Sequence, residues 1–294
     1  MIIGHLLLGA LSDNIIRYMI YSFHMPMFFF ISGYLLNFNK LKENNFFQLF
    51  DKYKFRLIIP WMVAVSVFFL IRVYTMDEVT LSYKSFFASY IFPFYHLWYV
   101  PCFLFFLFLT LFLIKLKVNL TFMLLISLLV YLAHFFITNK YYLSFNHVFR
   151  LQYYFYFVFG FYLVNKNFQK TFLTDFAKIR IGFLILFILN GILFYNFSLK
   201  ISPILFLLQN ILLAGIIVNF ISLQSFSYEA LTWLGKNSLG IYLWHVIPII
   251  VGWTFINNLS LYYGVTMGLL IISGFCYYFL VKFAFFRTYF FGLS

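Results

Sequence analysis

The sequence predicts an all-α fold, a polytopic transmembrane helical bundle of about ten helices with the first one truncated. Three observations lead there. The chain of 294 residues is 65% hydrophobic and 9% charged, where a soluble domain is about half apolar and about a quarter charged. Several apolar runs reach the ~20 residues that cross a bilayer as a helix, and the chain has too little interior to hide so many. The basic residues, which give a net charge of +13, are scattered between those runs. They form no dense patch or arm, which argues against a nucleic-acid partner, and they fit the excess of Lys and Arg on cytoplasmic loops. The 26% aromatic content, with 47 Phe, reads as lipid-facing and packing surface.

Spans are expected at roughly 1–11, 18–38, 56–74, 92–114, 119–138, 150–165, 180–196, 203–222, 239–256 and 262–282, forming one membrane domain over 1–294. If the first runs outward, fourteen of the 20 Lys and Arg fall inside and six (Arg17, Arg72, Lys84, Lys140, Arg150, Lys200) outside. That asymmetry favours both termini being cytoplasmic, and the cytoplasmic membrane is the expected location. The first segment has only about ten residues before Ser12-Asp13-Asn14, too few for ~30 Å at 1.5 Å per residue. It reads as a helix that has lost its amino-terminal half. Cys102 and Cys276 sit inside apolar runs and offer neither metal spacing nor a disulfide framework.

Within these elements the ionisable residues carry the information, because an ionisable side chain in hydrocarbon is costly and usually faces a protein-lined cavity. His5, in the first segment, has no polar companion there, so packing and function both stay open. The second opens with Ser22-Phe23-His24-Met25-Pro26; Pro26 is tolerable in a first turn. His24, Phe28 and Ser32 share a helical face. They line a polar cavity, or His24 snorkels to interfacial water and Ser32 with Gly33 admits a neighbouring helix. Lys52, Lys54 and Arg56 precede Pro60 and serve either topology and lipid headgroups or a phosphate-rich ligand.

His96-Leu97-Trp98-Tyr99-Val100-Pro101 follows an aromatic outer loop. His96 and Trp98 belong to an interfacial belt or to a site, and Pro101 is expected to bend or break the helix and free carbonyls. Arg150 pairs with a substrate anion or snorkels. His134 and His147 have no companion motif and read as structural. In Gly235-Lys236-Asn237-Ser238-Leu239-Gly240-Ile241-Tyr242-Leu243-Trp244-His245, Gly235 ends one structure and Asn237 or Ser238 caps the next helix. Ser238, Tyr242 and His245 then form a polar stripe. The carboxylates Asp51, Asp77, Glu78, Asp175 and Glu229 fall in expected loops, which disfavours a pump built on buried Asp or Glu and leaves histidine for proton transfer.

Taken together, Gly4-His5, Phe23-His24-Met25-Pro26 with Phe29-Phe30-Ile31-Ser32-Gly33-Tyr34, Arg56-Leu57-Ile58-Ile59-Pro60, His96-Leu97-Trp98-Tyr99-Val100-Pro101, Arg150 leading into Phe159-Gly160-Phe161-Tyr162, and the run from Leu234 to His245 occur in family order over nearly the whole chain. In these segments the chain resembles the integral membrane acyltransferase type 3 family, in particular its fucose 4-O-acetylase-like branch. The resemblance implies transfer of an acyl group, commonly acetyl from acetyl-CoA, to a hydroxyl of a cell-surface carbohydrate. It also implies that His5 matches the family's leading catalytic histidine.

On that basis His5 is the expected general base and His24 an acceptor-positioning or proton-transfer partner. Ser32, His96, Trp98, Arg150, Asn237, Ser238, Tyr242 and His245 are expected to bind substrate, and Lys52, Lys54 and Arg56 the CoA phosphates. The partners are then the lipid bilayer and a carbohydrate acceptor, and a thioester is already activated, so no metal is expected. The rival readings are a multi-helix transporter or exporter of a glycan or small solute, and an inactive truncated acyltransferase.

Overall fold

The computed structural model describes residues 2–8, 14–75, 80–134, 148–165, 176–197, 203–223, 229–256 and 258–293, and among these residues there is no strand. The expected loop residues Asp77, Glu78 and Asp175, and His147, lie outside the described residues. Four helices, Phe46–Thr75, Pro203–Phe220, Thr232–Phe255 and Leu259–Leu280, are long and apolar enough to cross a membrane. Tyr99–Lys115, Leu120–His134 and Ile179–Leu193 are shorter apolar helices. The chain is an all-α, membrane-embedded helical protein.

The elements are α1 (Ile2–Leu6), α2 (Ile15–Tyr21), α3 (His24–Tyr34), α4 (Phe38–Glu43), α5 (Phe46–Tyr53), a π-turn (Lys54–Ile58), α6 (Ile59–Thr75), α7 (Tyr83–Ile91), α8 (Tyr99–Lys115) and α9 (Leu120–His134). A 3₁₀ turn (Leu151–Tyr153) leads into α10 (Tyr154–Asn165), followed by α11 (Phe176–Phe197), α12 (Pro203–Leu223), α13 (Glu229–Trp244), α14 (Val246–Phe255), α15 (Leu259–Leu280) and α16 (Ala284–Tyr289). They divide into two compact units. One holds Leu7–Asn45 and Cys102–Phe226, the other Ile2–Leu6, Phe46–Pro101 and Ser227–Ser294.

The first unit is organised by α3 against α10. A Cβ on Gly33 would collide with the Phe157 carbonyl and one on Gly160 with the Phe30 carbonyl, so the two backbones touch. The small residue at each crossing is what permits that approach. The expected single span 18–38 is broken between α2 and α3, and proline explains the break. Pro26 has no N–H to offer the Ser22 carbonyl four residues earlier, and Asn210 Nδ2 donates to that carbonyl instead, at 3.0 Å. Gln209 Nε2 donates to Ser22 Oγ at 3.1 Å, and Asn190 Nδ2 to Gln209 Oε1. These amides are buried, and they join the broken helix to α11 and α12.

The second unit repeats that device. Residues Phe92–Trp98 form a turn, with Tyr95 at φ 53, instead of the expected start of a span. Pro101 sits in the first turn of α8, so it opens that helix rather than breaking it. The carbonyl it cannot serve, that of Leu97, accepts from Trp61 Nε1 at 2.9 Å. Helix α5 runs through the π-turn into α6 without interruption, longer than the expected 56–74. Gly235, Asn237 and Ser238, expected to end one element and cap the next, lie inside α13; the break comes at His245, between α13 and α14. Helices α7 and α16 were not foreseen. Both are short and mixed in polarity, so neither stands out as an apolar run.

Candidate active site

The candidate site is built on four elements of the second unit: α1, the turn before α8, the end of α13 and the wall of α6. Helix α1 has five residues, fewer than an isolated helix needs to persist, so packing must hold it. It packs on α14, and its last carbonyl, that of Leu6, accepts from Tyr262 Oη at 3.1 Å. His5 is thereby fixed, half-buried. The Trp61–Leu97 bond fixes the turn that carries His96. His245 is set by the interruption that separates α13 from α14.

The three imidazoles meet. Ring centroids are 5.7 Å apart for His5 and His96, 5.5 Å for His5 and His245, and 4.8 Å for His96 and His245. His96 and His245 are buried. Tyr242 stands edge-on to the His96 ring at 4.8 Å and donates its hydroxyl proton to the His96 carbonyl. Phe68 also stands edge-on to His96 at 5.8 Å, and Tyr99 lies 5.6 Å from Tyr242. His245 Nδ1 lies 2.9 Å from both the Ile241 and Tyr242 carbonyls. Neither ring nitrogen of His96 makes a well-formed hydrogen bond, although the backbone of Tyr242 and Leu243 lies beside the ring, and His245 Nε2 has no partner. Leaving such a buried group unsatisfied costs about 1–3 kcal/mol. Among the described residues no group of three His, Cys, Asp or Glu is arranged to hold a metal ion.

A family model for an acyltransferase domain matches residues 1–287. The chain belongs to the acyltransferase type 3 family. No curated protein and no solved structure matches it. The chain is thus a membrane acyltransferase.

The other expected site residues of the acyltransferase are distributed over both units. His24 heads α3 in the first unit, buried, with Nδ1 3.1 Å from the Ile20 carbonyl and its ring 4.6 Å from Tyr21. Ser32 Oγ donates to the Phe28 carbonyl at 2.7 Å. Trp98 is half-buried in the turn before α8. Arg150, at φ 48, heads the 3₁₀ turn of the first unit. Asn237 is tied at both ends of its amide, to the Trp233 carbonyl and to Tyr277 Oη, each at 2.7 Å. Ser238 is exposed and bonds back to the Gly235 carbonyl, so the polar stripe continues only through Tyr242 and His245.

Lys52, Lys54 and Arg56 are exposed on α5 and the π-turn, Lys52 over the Tyr53 ring and Lys54 over Phe55. A single π-turn inside an α-helix is uncommon and recurs at functional sites. Here Gly292, at φ +64, lies against the Arg56 carbonyl. Sequence reasoning missed Tyr262, Trp61 and Phe68, which position the histidines. The carbonyl freed by Pro101 was the one available signal, since it demanded a donor such as an indole.

Proposed function

We propose that the chain is an O-acetyltransferase of the fucose 4-O-acetylase-like kind. It moves acetyl from acetyl-CoA to a hydroxyl of a cell-surface or exported carbohydrate, in the cytoplasmic membrane with both termini inside. One observation carries the reading: His5 stands within 6 Å of two other imidazoles in a chain that belongs to an acyltransferase family. His5 is the least enclosed of the three, so it is the one that meets the acceptor. A ring nitrogen of His5 takes the acceptor proton as the oxygen attacks the thioester carbonyl, and the proton passes to the departing thiolate. The steps need no contribution from His24.

The donor side is supported by the helix that carries the basic run. From Arg56 to Phe68, the ring beside His96, is about 18 Å along the axis at 1.5 Å per residue. That is a length of the order that the pantetheine arm of CoA crosses. Lys52, Lys54 and Arg56 would hold the phosphates at one end while the thioester reaches the imidazoles at the other.

Incubating membranes that contain the chain with acetyl-labelled CoA tests this directly. Covalent label on glycan is expected, and His5→Ala should abolish it while the protein remains folded in the membrane. Label transfer at the wild-type rate in His5→Ala would end the proposed role for His5. Solute flux with no label on glycan would favour a transporter.

A further inference from the structure

Resting on the acyltransfer reading, we infer that His96 and His245 form one hydrogen-bonded pair, in which His245 is the positioning residue and His96 keeps a single lone pair for a hydroxyl of the acceptor.

The backbone fixes the tautomer of His245. Its Nδ1 faces the Ile241 and Tyr242 carbonyls at 2.9 Å each. Carbonyl oxygens only accept, so Nδ1 carries the hydrogen, and in a neutral ring Nε2 is then an acceptor. That Nε2 is buried and has no partner, a state that costs free energy unless a donor arrives. Of the other two imidazoles in the cluster the nearer is His96, with its centroid 4.8 Å from that of His245. Both side chains are 5% exposed, so neither is left to bulk water. Neither His96 nitrogen makes a well-formed hydrogen bond. The Tyr242 and Leu243 backbone lies beside the ring, but the Tyr242 carbonyl already accepts from His245.

Two imidazoles joined by a hydrogen bond of about 2.9 Å stand roughly 5 Å apart between centroids. The two rings are therefore at bonding distance, and a turn of the His96 ring brings its N–H onto His245 Nε2. Tyr242 keeps them in register: its carbonyl accepts from His245, and its hydroxyl donates to the His96 carbonyl. The Trp61 indole on the Leu97 carbonyl holds the same turn from the other side of the His96 peptide.

The pairing has a chemical consequence. A neutral imidazole has one N–H and one lone pair. With its N–H given to His245, His96 offers only the lone pair of its other nitrogen. That nitrogen cannot serve the thioester carbonyl or a phosphate of the donor, since both only accept. It can accept an O–H, the group that a carbohydrate offers in number. His96 thus belongs to the acceptor side and holds a sugar hydroxyl other than the one that reacts. No proton leaves His96 or His245 during transfer.

Nitrogen NMR of the purified protein, with isotope-labelled histidine, tests the pair without recourse to activity. An N–H···N bond couples the two ring nitrogens through the shared hydrogen. That coupling is expected in the wild-type protein and in folded His5→Ala, and His96→Gln should remove it. Its absence from the wild-type protein, its loss in folded His5→Ala or its survival in His96→Gln would overturn the inference. A second arm uses labelled acetyl-CoA and glycan-bearing membranes. His245→Phe keeps the ring and loses both nitrogens, and it should lower label transfer about tenfold, roughly the worth of one hydrogen bond. His245→Gln still accepts at the Nε2 position and should recover most of that loss. Phe at the wild-type rate, or Gln no better than Phe, would make His245 a tie for the helix break and overturn its role toward His96. Should the Phe variant fail to fold, the coupling decides alone. Absence of any transfer by the wild-type protein, with the coupling present, would instead overturn the acyltransfer reading and leave the pair standing.

Discussion

Tyr242 shows how one hydroxyl sets the geometry of the cluster. Its proton goes to the His96 carbonyl, and its ring stands against the His96 imidazole. A buried carbonyl left without that donor costs about 1–3 kcal/mol, and the turn carrying His96 would be freed to shift. Tyr242→Phe keeps the ring and removes the bond. We expect the acetyl-transfer rate to fall about tenfold, one decade for each 1.4 kcal/mol, together with a lower melting temperature in detergent. An unchanged rate would show that the position of His96 does not depend on this bond. The histidines themselves were legible in the sequence, because an ionisable side chain stands out in an apolar run. Which of them group together was not. His5, His96 and His245 come from three separate stretches of chain, and only tertiary packing brings His5 to the other two while leaving His24 in another unit.

At the scale of elements, Pro26 was read as a first-turn proline and Pro101 as one that bends or breaks its helix and frees carbonyls. The expected span 92–114 is interrupted at 92–98 and the Leu97 carbonyl is freed, while Pro101 itself opens the helix that follows. Both sit in the first turn of a helix, where the missing N–H is harmless to the helix that follows. The consequence falls four residues earlier, on a carbonyl that a distant side chain must satisfy: Asn210 for Ser22, Trp61 for Leu97. Such partners cannot be found by periodicity, and for the same reason the buried amides Asn190, Gln209 and Asn210 drew no notice inside apolar runs. The close crossing of α3 and α10 was partly visible, since Gly33 could be read as a contact residue. It yields a sharp expectation. Adding one methyl at Gly33 drives it into the Phe157 carbonyl, a backbone atom that cannot rotate away, and overpacking of this kind costs about 1–3 kcal/mol or more. Gly264, on α15, has nothing within 4 Å of its Cβ position. Gly33→Ala should therefore lower the yield of monodisperse protein and its melting temperature, while Gly264→Ala leaves both unchanged. Equal behaviour of the two would mean that α3 and α10 do not touch as described.

For the molecule as a whole, composition gave the membrane class outright, and the order of motifs gave the family. What composition left open was whether the basic residues mark orientation alone or also bind a ligand. Lys52, Lys54 and Arg56 are exposed on one continuous helix that reaches the ring beside His96. Topology and headgroup contact require only positive charge on one side of the membrane. A phosphate clamp requires these particular side chains, and hydrogen bonds to a charged group are worth about 1.5–3 kcal/mol each. Replacing all three with Gln should then raise KM for acetyl-CoA at least about tenfold, the equivalent of 1.4 kcal/mol after solvent screening, while kcat changes little. Acetyl-pantetheine carries the same thioester without phosphates, so its KM should not move. Raised salt should weaken acetyl-CoA binding to the wild-type protein and have less effect on the triple variant. If both donors lose affinity equally, the basic run serves placement in the membrane, and the nucleotide end of the donor is held elsewhere.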